Sequence, residues 1–169
     1  IANGTLTFDS ASAQTLLGSV TGPGALTKSG TNRLTLAAAN TYAGETRVNA
    51  GAVVAQNSAA FGSSATGTVI ASGATLDLGG ALAANALYLG AEPFIVSGAG
   101  VDGLGAIVNT SGRDQYNALS KLALAGDTAF GGTARWDLRN SSATLDMNSF
   151  NITKTGTNYV GLTSVLVNP

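Results

Sequence analysis

The 169-residue chain contains no histidine and no cysteine. The absence of histidine removes the commonest general base and metal ligand. The absence of cysteine removes thiol nucleophiles, cysteine-based zinc sites and disulfides. Only 10% of the residues are charged, against about 25% in typical domains, so Ser, Thr, Asn and Gly must cover the surface. Such a polar but uncharged exterior is common in extracellular β-rich proteins and uncommon in cytosolic enzymes.

The chain also lacks a strong charge of either sign and any long apolar run. Its net charge is −1 and its basic residues are scattered, so no binding to nucleic acid is expected. The longest apolar stretches, residues 37–39 and 122–125, are far shorter than the ~20 residues that span a bilayer, and we expect no membrane insertion. We also expect no cofactor and no metal. Because the chain begins with Ile1 and ends at Pro169 with no stop feature, we predict that it is a segment excised from a longer protein.

What the sequence does contain is an internal repeat. Short segments of similar pattern, most of them led by glycine, start at residues 4, 24, 44, 67, 86, 105, 133 and 152, in steps of 20, 20, 23, 19, 19, 28 and 19 residues. Within the units, runs such as Leu34-Thr35-Leu36 and Trp136-Asp137-Leu138 alternate apolar and polar residues. This alternation is typical of strands with one buried face. The repeat therefore predicts a stack of about eight similar units made of short strands.

A unit of about twenty residues is too short for a propeller blade of four strands, but it suits one coil of a β-helix. We predict an all-β, right-handed parallel β-helix that forms a single unit over residues 1–169. Eight coils would make a rod of roughly 35–40 Å. The narrow interior of such a rod explains why only 6% of the residues are aromatic. The alternative is an antiparallel sandwich or jelly roll, against which the regular spacing argues. Residues 116–125 come closest to a helical pattern, and we interpret them as strand.

Two consecutive runs carry a resemblance to a known family. These are GALTKSGTNRLTL at residues 24–36 and NTYAGETRVNAG at residues 40–51. Together they resemble the autotransporter-associated β-strand repeat, also called the passenger-associated transport repeat. Residues 145–158 are similar to a degenerate copy, whereas residues 86–132 depart from the consensus. The resemblance implies a large exported bacterial protein whose repeats form β-helical stalks, and it brings no catalytic residues with it.

The resemblance and the composition predict a structural or adhesive module, not an enzyme, located outside the cell or on the bacterial surface. We expect a stalk that spaces or displays other parts. Its open coil ends are unpaired sheet edges, so one expected partner is another copy of the chain, which would bind end to end and form fibres. A surface glycan or a host matrix ligand is the other expected partner. The alternative function is a carbohydrate-binding or polysaccharide-degrading β-helix.

An enzyme of that alternative class would need a carboxylate cluster, often with calcium, or a pair of carboxylates. The best constellation in the sequence is Arg113-Asp114, with Asp102 and Asp127 on flanking turns. The competing interpretation, which we favour, is a set of surface turns. Asp77 and Asp137 lie in alternating runs, and we predict that they face outward into solvent. We therefore assign no catalytic, cofactor or metal residue.

Two further sets of residues have a functional and a structural interpretation. Asn32, Asn40, Asn49 and Asn57 recur at spacings near eight. They would form a sugar-binding face or, as we favour, occupy turns where their side chains bond to the backbone. Trp136 is the only tryptophan. It would stack on a sugar ring or, as we favour, be buried. The family motif includes Tyr42, which we expect to fill a corner of the coil.

Overall fold

The computed structural model describes residues 1–169 and contains 17 strands. Two single-turn 3₁₀ helices, Leu78–Gly80 and Val101–Gly103, are its only helical elements. The strands in chain order are β1 (Thr5–Phe8), β2 (Gln14–Leu16), β3 (Thr21–Gly22), β4 (Ala25–Lys28), β5 (Arg33–Leu36), β6 (Thr41–Tyr42), β7 (Thr46–Val48), β8 (Ala52–Ala55), β9 (Thr68–Ile70), β10 (Thr75–Asp77), β11 (Pro93–Gly98), β12 (Ile107–Asn109), β13 (Gln115–Leu119), β14 (Lys121–Gly132), β15 (Trp136–Asp146), β16 (Ile152–Lys154) and β17 (Val160–Asn168).

The strands stack on three faces of a solenoid, and every strand pair is parallel. Face A consists of β1, β4, β7, β9, β11, the first half of β14 and the second halves of β15 and β17. Face B consists of β2, β5, β8, β10, β12, the second half of β14 and β16. Face C consists of β3, β6, β13 and the first halves of β15 and β17. The chain winds through about seven turns. The predicted parallel β-helix is therefore confirmed, with a coil number close to the predicted eight.

The predicted register of the coils is right at the start of the chain and wrong further along. Leu6 pairs with Leu26, and Leu26 with Thr46, as the glycine-led alignment predicts. Beyond Thr46 the alignment is wrong. It pairs Thr46 with Val69 and Thr68 with Leu87, whereas in the structure Thr46 pairs with Thr68 and Thr68 pairs with Phe94. The predicted unit starts at residues 86 and 133 lie on face C, and those at 105 and 152 belong to face B. The physical reason is that two turns are lengthened, one by residues 78–92, which cross face C without a regular strand, and one by the irregular corner at residues 99–106.

Aliphatic and aromatic side chains stack along the axis of the solenoid. On face B the inward column runs through five fully buried residues that pair in series, namely Leu34, Val53, Leu76, Ile107 and Phe130. Burying each such side chain is worth about 1.5–3 kcal/mol. No single coil has enough apolar surface for a core of its own, so the coils are stable only as a stack.

The inward column on face A differs because it contains polar residues. Thr46 and Thr68 lie between Leu26 and Phe94 in this column and are fully buried. The hydroxyl of Thr46 bonds with the hydroxyl of Tyr42, so Tyr42 fills the interior beside a corner as expected. The hydroxyl of Thr68 bonds with a carboxylate that is described below. Each buried hydroxyl thus has a partner, which a buried polar group requires.

The glycines that lead the first units lie where successive coils approach most closely. A Cβ atom at Gly24 would lie 2.3 Å from the carbonyl oxygen of Gly4. A Cβ atom at Gly44 would lie 2.7 Å from the carbonyl oxygen of Gly24. Any larger residue would push the coils apart at this corner, which accounts for the twenty-residue glycine period. No helix in the structure has the length and apolar character needed to cross a membrane.

Candidate binding cleft on face B

The largest cavity is a cleft of about 540 Å³ that crosses the outer surface of face B. Most of its 14 lining residues are polar or glycine, but most of the surface that they expose to the cleft is apolar. The lining residues are Thr31, Asn32, Arg33, Ala52, Thr75, Asp77, Val101, Leu104, Val108, Thr110, Gly132, Thr133, Gly156 and Thr157. These residues come from coils that span most of the rod, so the cleft runs across the strands.

An ion pair forms the floor of the cleft. Arg33 Nη2 donates to Asp77 Oδ2 at 2.7 Å across the intervening coil, where the small Ala52 leaves room for the arginine side chain. The Arg33 side chain is 47% exposed, whereas that of Asp77 is 1% exposed. The prediction that Asp77 is solvated is therefore wrong. Asp77 points away from the core, as the alternation predicts, but Arg33 and Thr110 cover it.

The carboxylate of Asp77 is saturated with hydrogen bonds. Its Oδ1 accepts from the backbone N–H groups of Gly79 at 2.8 Å and Thr110 at 3.1 Å. Its Oδ2 accepts from the Thr110 hydroxyl as well as from Arg33. These four hydrogen bonds fix the position of the carboxylate. Asp77 thereby joins β10, the following 3₁₀ helix and the turn after β12.

One wall of the cleft is the irregular corner between β11 and β12. The Thr75 hydroxyl donates to the carbonyl of Gly105 at 2.9 Å and accepts from the N–H of Val101 at 2.9 Å. The Thr155 hydroxyl donates to the carbonyl of Leu104 at 3.1 Å. These bonds hold the corner against face B, so the Leu104 side chain, which is 65% exposed, forms a fixed apolar edge.

The chemistry of the cleft favours binding over catalysis. Asp77 is the only carboxylate in the lining, and it is fully engaged. A glycosidase-type mechanism requires two carboxyl groups on either side of the bond that breaks. The other polar groups are hydroxyls, an amide and one guanidinium, which suit hydrogen bonding to a neutral ligand that also packs against the apolar part of the cleft.

The other predicted outward-facing acid, Asp137, is also buried. It is 0% exposed and accepts from Arg135 Nε and Nη2, each at 2.8 Å. The Arg135 guanidinium lies 4.7 Å from the ring centres of both Tyr116 and Tyr159. The hydrogen bonds that Arg135 donates to Asp137 raise the pKa of the guanidinium. The prediction of a solvated Asp137 is wrong because Arg135, two residues away in the same coil, covers the carboxylate, and Tyr116 and Tyr159 from the neighbouring coils pack on that arginine.

The four residues that the sequence offers for a polysaccharide-degrading site do not come together. Arg113 and Asp114 lie at the corner that leads from face B to face C. Asp102 and Asp127 lie at the corner between faces A and B. Two of these acids already accept hydrogen bonds from the backbone: Asp114 accepts from the N–H of Arg135, and Asp127 accepts from the N–H of Asn151. No group of three or more acidic residues that could hold a metal ion occurs in the structure.

Three of the four asparagines bond to the backbone at corners, as their structural interpretation predicts, whereas the side chain of Asn49 is exposed and makes no hydrogen bond. Asn40 is buried, accepting from Val20 N at 2.8 Å and donating to the Ala60 carbonyl at 2.6 Å. It therefore joins three successive coils. Asn32 donates to the Ala11 carbonyl at 2.8 Å. The Asn57 side chain accepts from a backbone N–H in its own turn.

Trp136 is 0% exposed, and its indole N–H donates to the Gly131 carbonyl at 3.0 Å. Its ring packs edge-on against Phe130 with 5.1 Å between ring centres. Trp136 therefore belongs to the core, as predicted, and is not accessible to a sugar.

Sequence reasoning missed the pairing of Arg33 with Asp77. The two residues are 44 positions apart, and no local spacing links them. The one available signal was Asp77 followed by Leu78-Gly79-Gly80, because a short acidic side chain before a tight turn commonly bonds to the backbone two residues on.

The fold and the cleft define the class of this chain, a parallel β-solenoid repeat protein without an assembled acid pair. Residues 26–55 match the family model of the passenger-associated transport repeat. The chain is also 41% identical, over 102 residues, to the adhesin BmaC autotransporter of Brucella suis biovar 1 (strain 1330). That alignment covers 53% of this chain and 3% of the adhesin, so the chain spans a small part of this relative's length. No solved structure matches the chain.

These matches confirm the resemblance to the autotransporter-associated repeat. They indicate an extracellular or cell-surface protein, and they are in keeping with a structural, non-enzymatic role. The chain is a β-solenoid in which residues 26–55 are similar to a passenger-associated transport repeat.

Proposed function

We propose that residues 1–169 form one segment of the stalk of a longer bacterial surface protein. Its role is to hold other parts of that protein away from the cell. The observation that supports this proposal is the continuous inward column from Leu34 to Phe130, which places five coils in register on one axis. A rod of this kind grows by adding coils, each stabilised mainly by its neighbours.

The length of the rod tests the spacer role. Bacteria that display the whole surface protein would carry zero, five or ten extra copies of residues 25–44 inserted after residue 44. Each copy adds one coil, or ~4.8 Å. Electron tomography of a tag at the distal end should show a height that increases linearly with copy number, while attachment to host cells is retained. A height that does not change would contradict the proposal.

Self-association follows from the edge that the last coil presents. The outer strand β17 exposes Leu162, Leu166 and Val167 by 49%, 64% and 46%. Its backbone forms one edge of face A, and unpaired edges favour pairing with another strand. The isolated chain should therefore associate end to end, and sedimentation velocity should show a mass that rises with concentration. Leu166→Lys should weaken this association, whereas Leu17→Lys, at an exposed leucine near the other end, tests whether the opposite edge takes part. A chain that stays monomeric at every concentration would contradict end-to-end association.

A second candidate function is the binding of a neutral glycan in the cleft on face B. The observation that favours it is a fixed cleft of about 540 Å³ lined by threonine hydroxyls and the Arg33–Asp77 pair. A glycan array with the purified chain tests this function. Thr133→Val and Thr157→Val should reduce a binding signal, whereas Thr7→Val, on an exposed part of face A, should not. A silent array, or a signal that survives both cleft substitutions, would leave the spacer role as the function of the segment.

A further inference from the structure

A second cavity, of about 250 Å³, lies between two turns of the chain near the corner where face C meets face A. Residues 58–64 form one side and residues 88–92 the other. The side chains that define it chemically are Phe61, Tyr88 and Glu92. It is distinct from the cleft on face B, with which it shares no lining residue.

Glu92 is a buried carboxyl group with an incomplete set of partners. The residue is 5% exposed, which is rare for a glutamate unless it is paired. Its Oε1 accepts from the Thr68 hydroxyl at 2.7 Å, and this is the only hydrogen bond its side chain makes. Glu92 lines the cavity, and its Oε2, which has no hydrogen-bond partner, keeps some exposure to solvent.

No basic side chain neutralises Glu92. The three ion pairs of the structure join Arg33 with Asp77, Arg47 with Glu45 and Arg135 with Asp137. The elements packed around Glu92 contribute two tyrosines, Tyr42 behind Thr46 and Tyr88 at the rim. The adjacent strand β14 contributes Lys121, which is exposed and pairs through its backbone with Pro93. A carboxylate in this position has a strong electrostatic preference for a cation that enters the cavity.

The walls of the cavity suit an organic cation. Phe61 is 3% exposed, and its edge-to-face contact with Phe94, at 5.4 Å between ring centres, fixes its orientation. Tyr88 is 55% exposed at the rim. Aromatic faces attract ammonium groups through their quadrupole, and the combination of aromatic walls with one carboxylate recognises alkylammonium ligands. A small, strongly hydrated metal ion would require several oxygen ligands, and the cavity offers a single carboxylate.

We propose that the cavity bounded by Phe61, Tyr88 and Glu92 binds the ammonium group of an organic ligand, with the Glu92 carboxylate as its counter-ion. Ligands that carry such a group include amino sugars, lysine side chains and choline-type headgroups. All share an alkylated ammonium nitrogen, and the probes below separate primary from quaternary forms.

The test uses the full chain labelled with ¹⁵N and titrated with n-butylammonium, tetramethylammonium and neutral 1-butanol. Saturable shifts of the backbone signals of Tyr88, Gly90 and Ala91 are expected for an ammonium probe and not for butanol. A stronger response to butylammonium assigns a primary amine as the ligand, and a stronger response to tetramethylammonium assigns a quaternary one. Glu92→Gln should weaken binding by about tenfold or more, as expected for a lost desolvated ion pair. Glu45→Gln, at a surface glutamate paired with Arg47, is the matched control and should leave the affinity unchanged.

The unmodified chain provides a second test that does not depend on the folding of a variant. The burial of Glu92 raises its pKa to about 7, and only the ionised form attracts the cation. Affinity should therefore rise about tenfold between pH 6 and pH 8, as the ionised fraction grows. Each of three results would overturn the proposal: equal shifts of the backbone signals with butanol, an affinity that does not change with pH, or an affinity unchanged in Glu92→Gln.

Discussion

Arg33 and Asp77 are 44 residues apart in the chain, yet their side chains meet at 2.7 Å on the outer surface of face B. The contact passes over Ala52, the residue of the intervening coil that pairs with Arg33 on one side and Thr75 on the other. It connects coils that are not neighbours in the stack. Long side chains of this kind add order along the axis that nearest-neighbour stacking alone does not supply.

We predict that Asp77→Ala destabilises the chain by about 1–3 kcal/mol, because it leaves the half-exposed guanidinium of Arg33 and two part-buried backbone N–H groups without their acceptor. Urea denaturation followed by circular dichroism measures the free energy of unfolding. Asp9→Ala, at an exposed acid in the first coil, is the control and should change this free energy by less than about 0.5 kcal/mol. Similar losses for both variants would mean that Asp77 has no special place in the stack.

The buried Asn40 gives a second prediction. Its amide bonds to Val20 and Ala60 in the coils on either side. Asn40→Ala leaves a buried N–H and a buried carbonyl unpaired, and each costs about 1–3 kcal/mol. We expect a total loss of about 2–4 kcal/mol by the same principle. The exposed Asn49 belongs to the same series in the sequence, and Asn49→Ala should be nearly neutral. Equal losses of stability would contradict a special structural role for the buried amide of Asn40.

Alanine substitutions at Gly30 and Gly112 test whether a glycine is needed because two coils approach closely or only because it lies in a turn. A Cβ atom at residue 30 would lie 2.1 Å from the carbonyl oxygen of Ser10, whereas one at residue 112 has no atom within 4 Å. Gly30→Ala should therefore cost about 2 kcal/mol or more, in the range of overpacking. Gly112→Ala should be neutral or stabilise by up to about 1 kcal/mol, because it restricts the unfolded chain. Thermal melts compare the two variants directly, and a stable Gly30→Ala variant would contradict the close contact.

Glu92 makes stability depend on pH. Its pKa is raised from 4.5 to about 7 by burial, so between these values the folded chain holds a proton that the unfolded chain has released. The free energy of unfolding should fall as the pH rises through this window and level off above it. The contribution of Glu92 to this fall is as much as about 3 kcal/mol.

Urea denaturation at intervals between about pH 4 and pH 8 tests this dependence. Glu92→Gln should remove most of the fall, since glutamine has no charge to desolvate. Glu45→Gln should keep it. A parallel pH dependence in all three proteins would show that Glu92 is not the group responsible.

The sequence predicted those features that depend on local pattern. Alternation in β5 and β10 identified strands, and the glycine spacing placed Leu6, Leu26 and Thr46 in one column. Prediction failed where contacts are made across coils or where corners are irregular. Nothing local indicates that Arg33 covers Asp77, or that the corner between β10 and β11 carries Glu92 into a cavity.

The coils after residue 70 test the account most directly, because the sequence period and the structure disagree there. The sequence alignment pairs Val69 with Tyr88, whereas the structure pairs Val69 with Ile95. The chain has no cysteine of its own, so introduced cysteine pairs report on this register. Partner residues on adjacent strands are ~4.8 Å apart, within the ~4.4–6.8 Å that a disulfide spans.

The measurement is the yield of disulfide under mild oxidation in Val69→Cys/Ile95→Cys and in Val69→Cys/Tyr88→Cys. The first pair should cross-link nearly completely in the folded chain, and the second should remain reduced. Efficient cross-linking of the second pair, with the first pair reduced, would show that the coils stack at the constant twenty-residue period and that the arrangement described here is wrong.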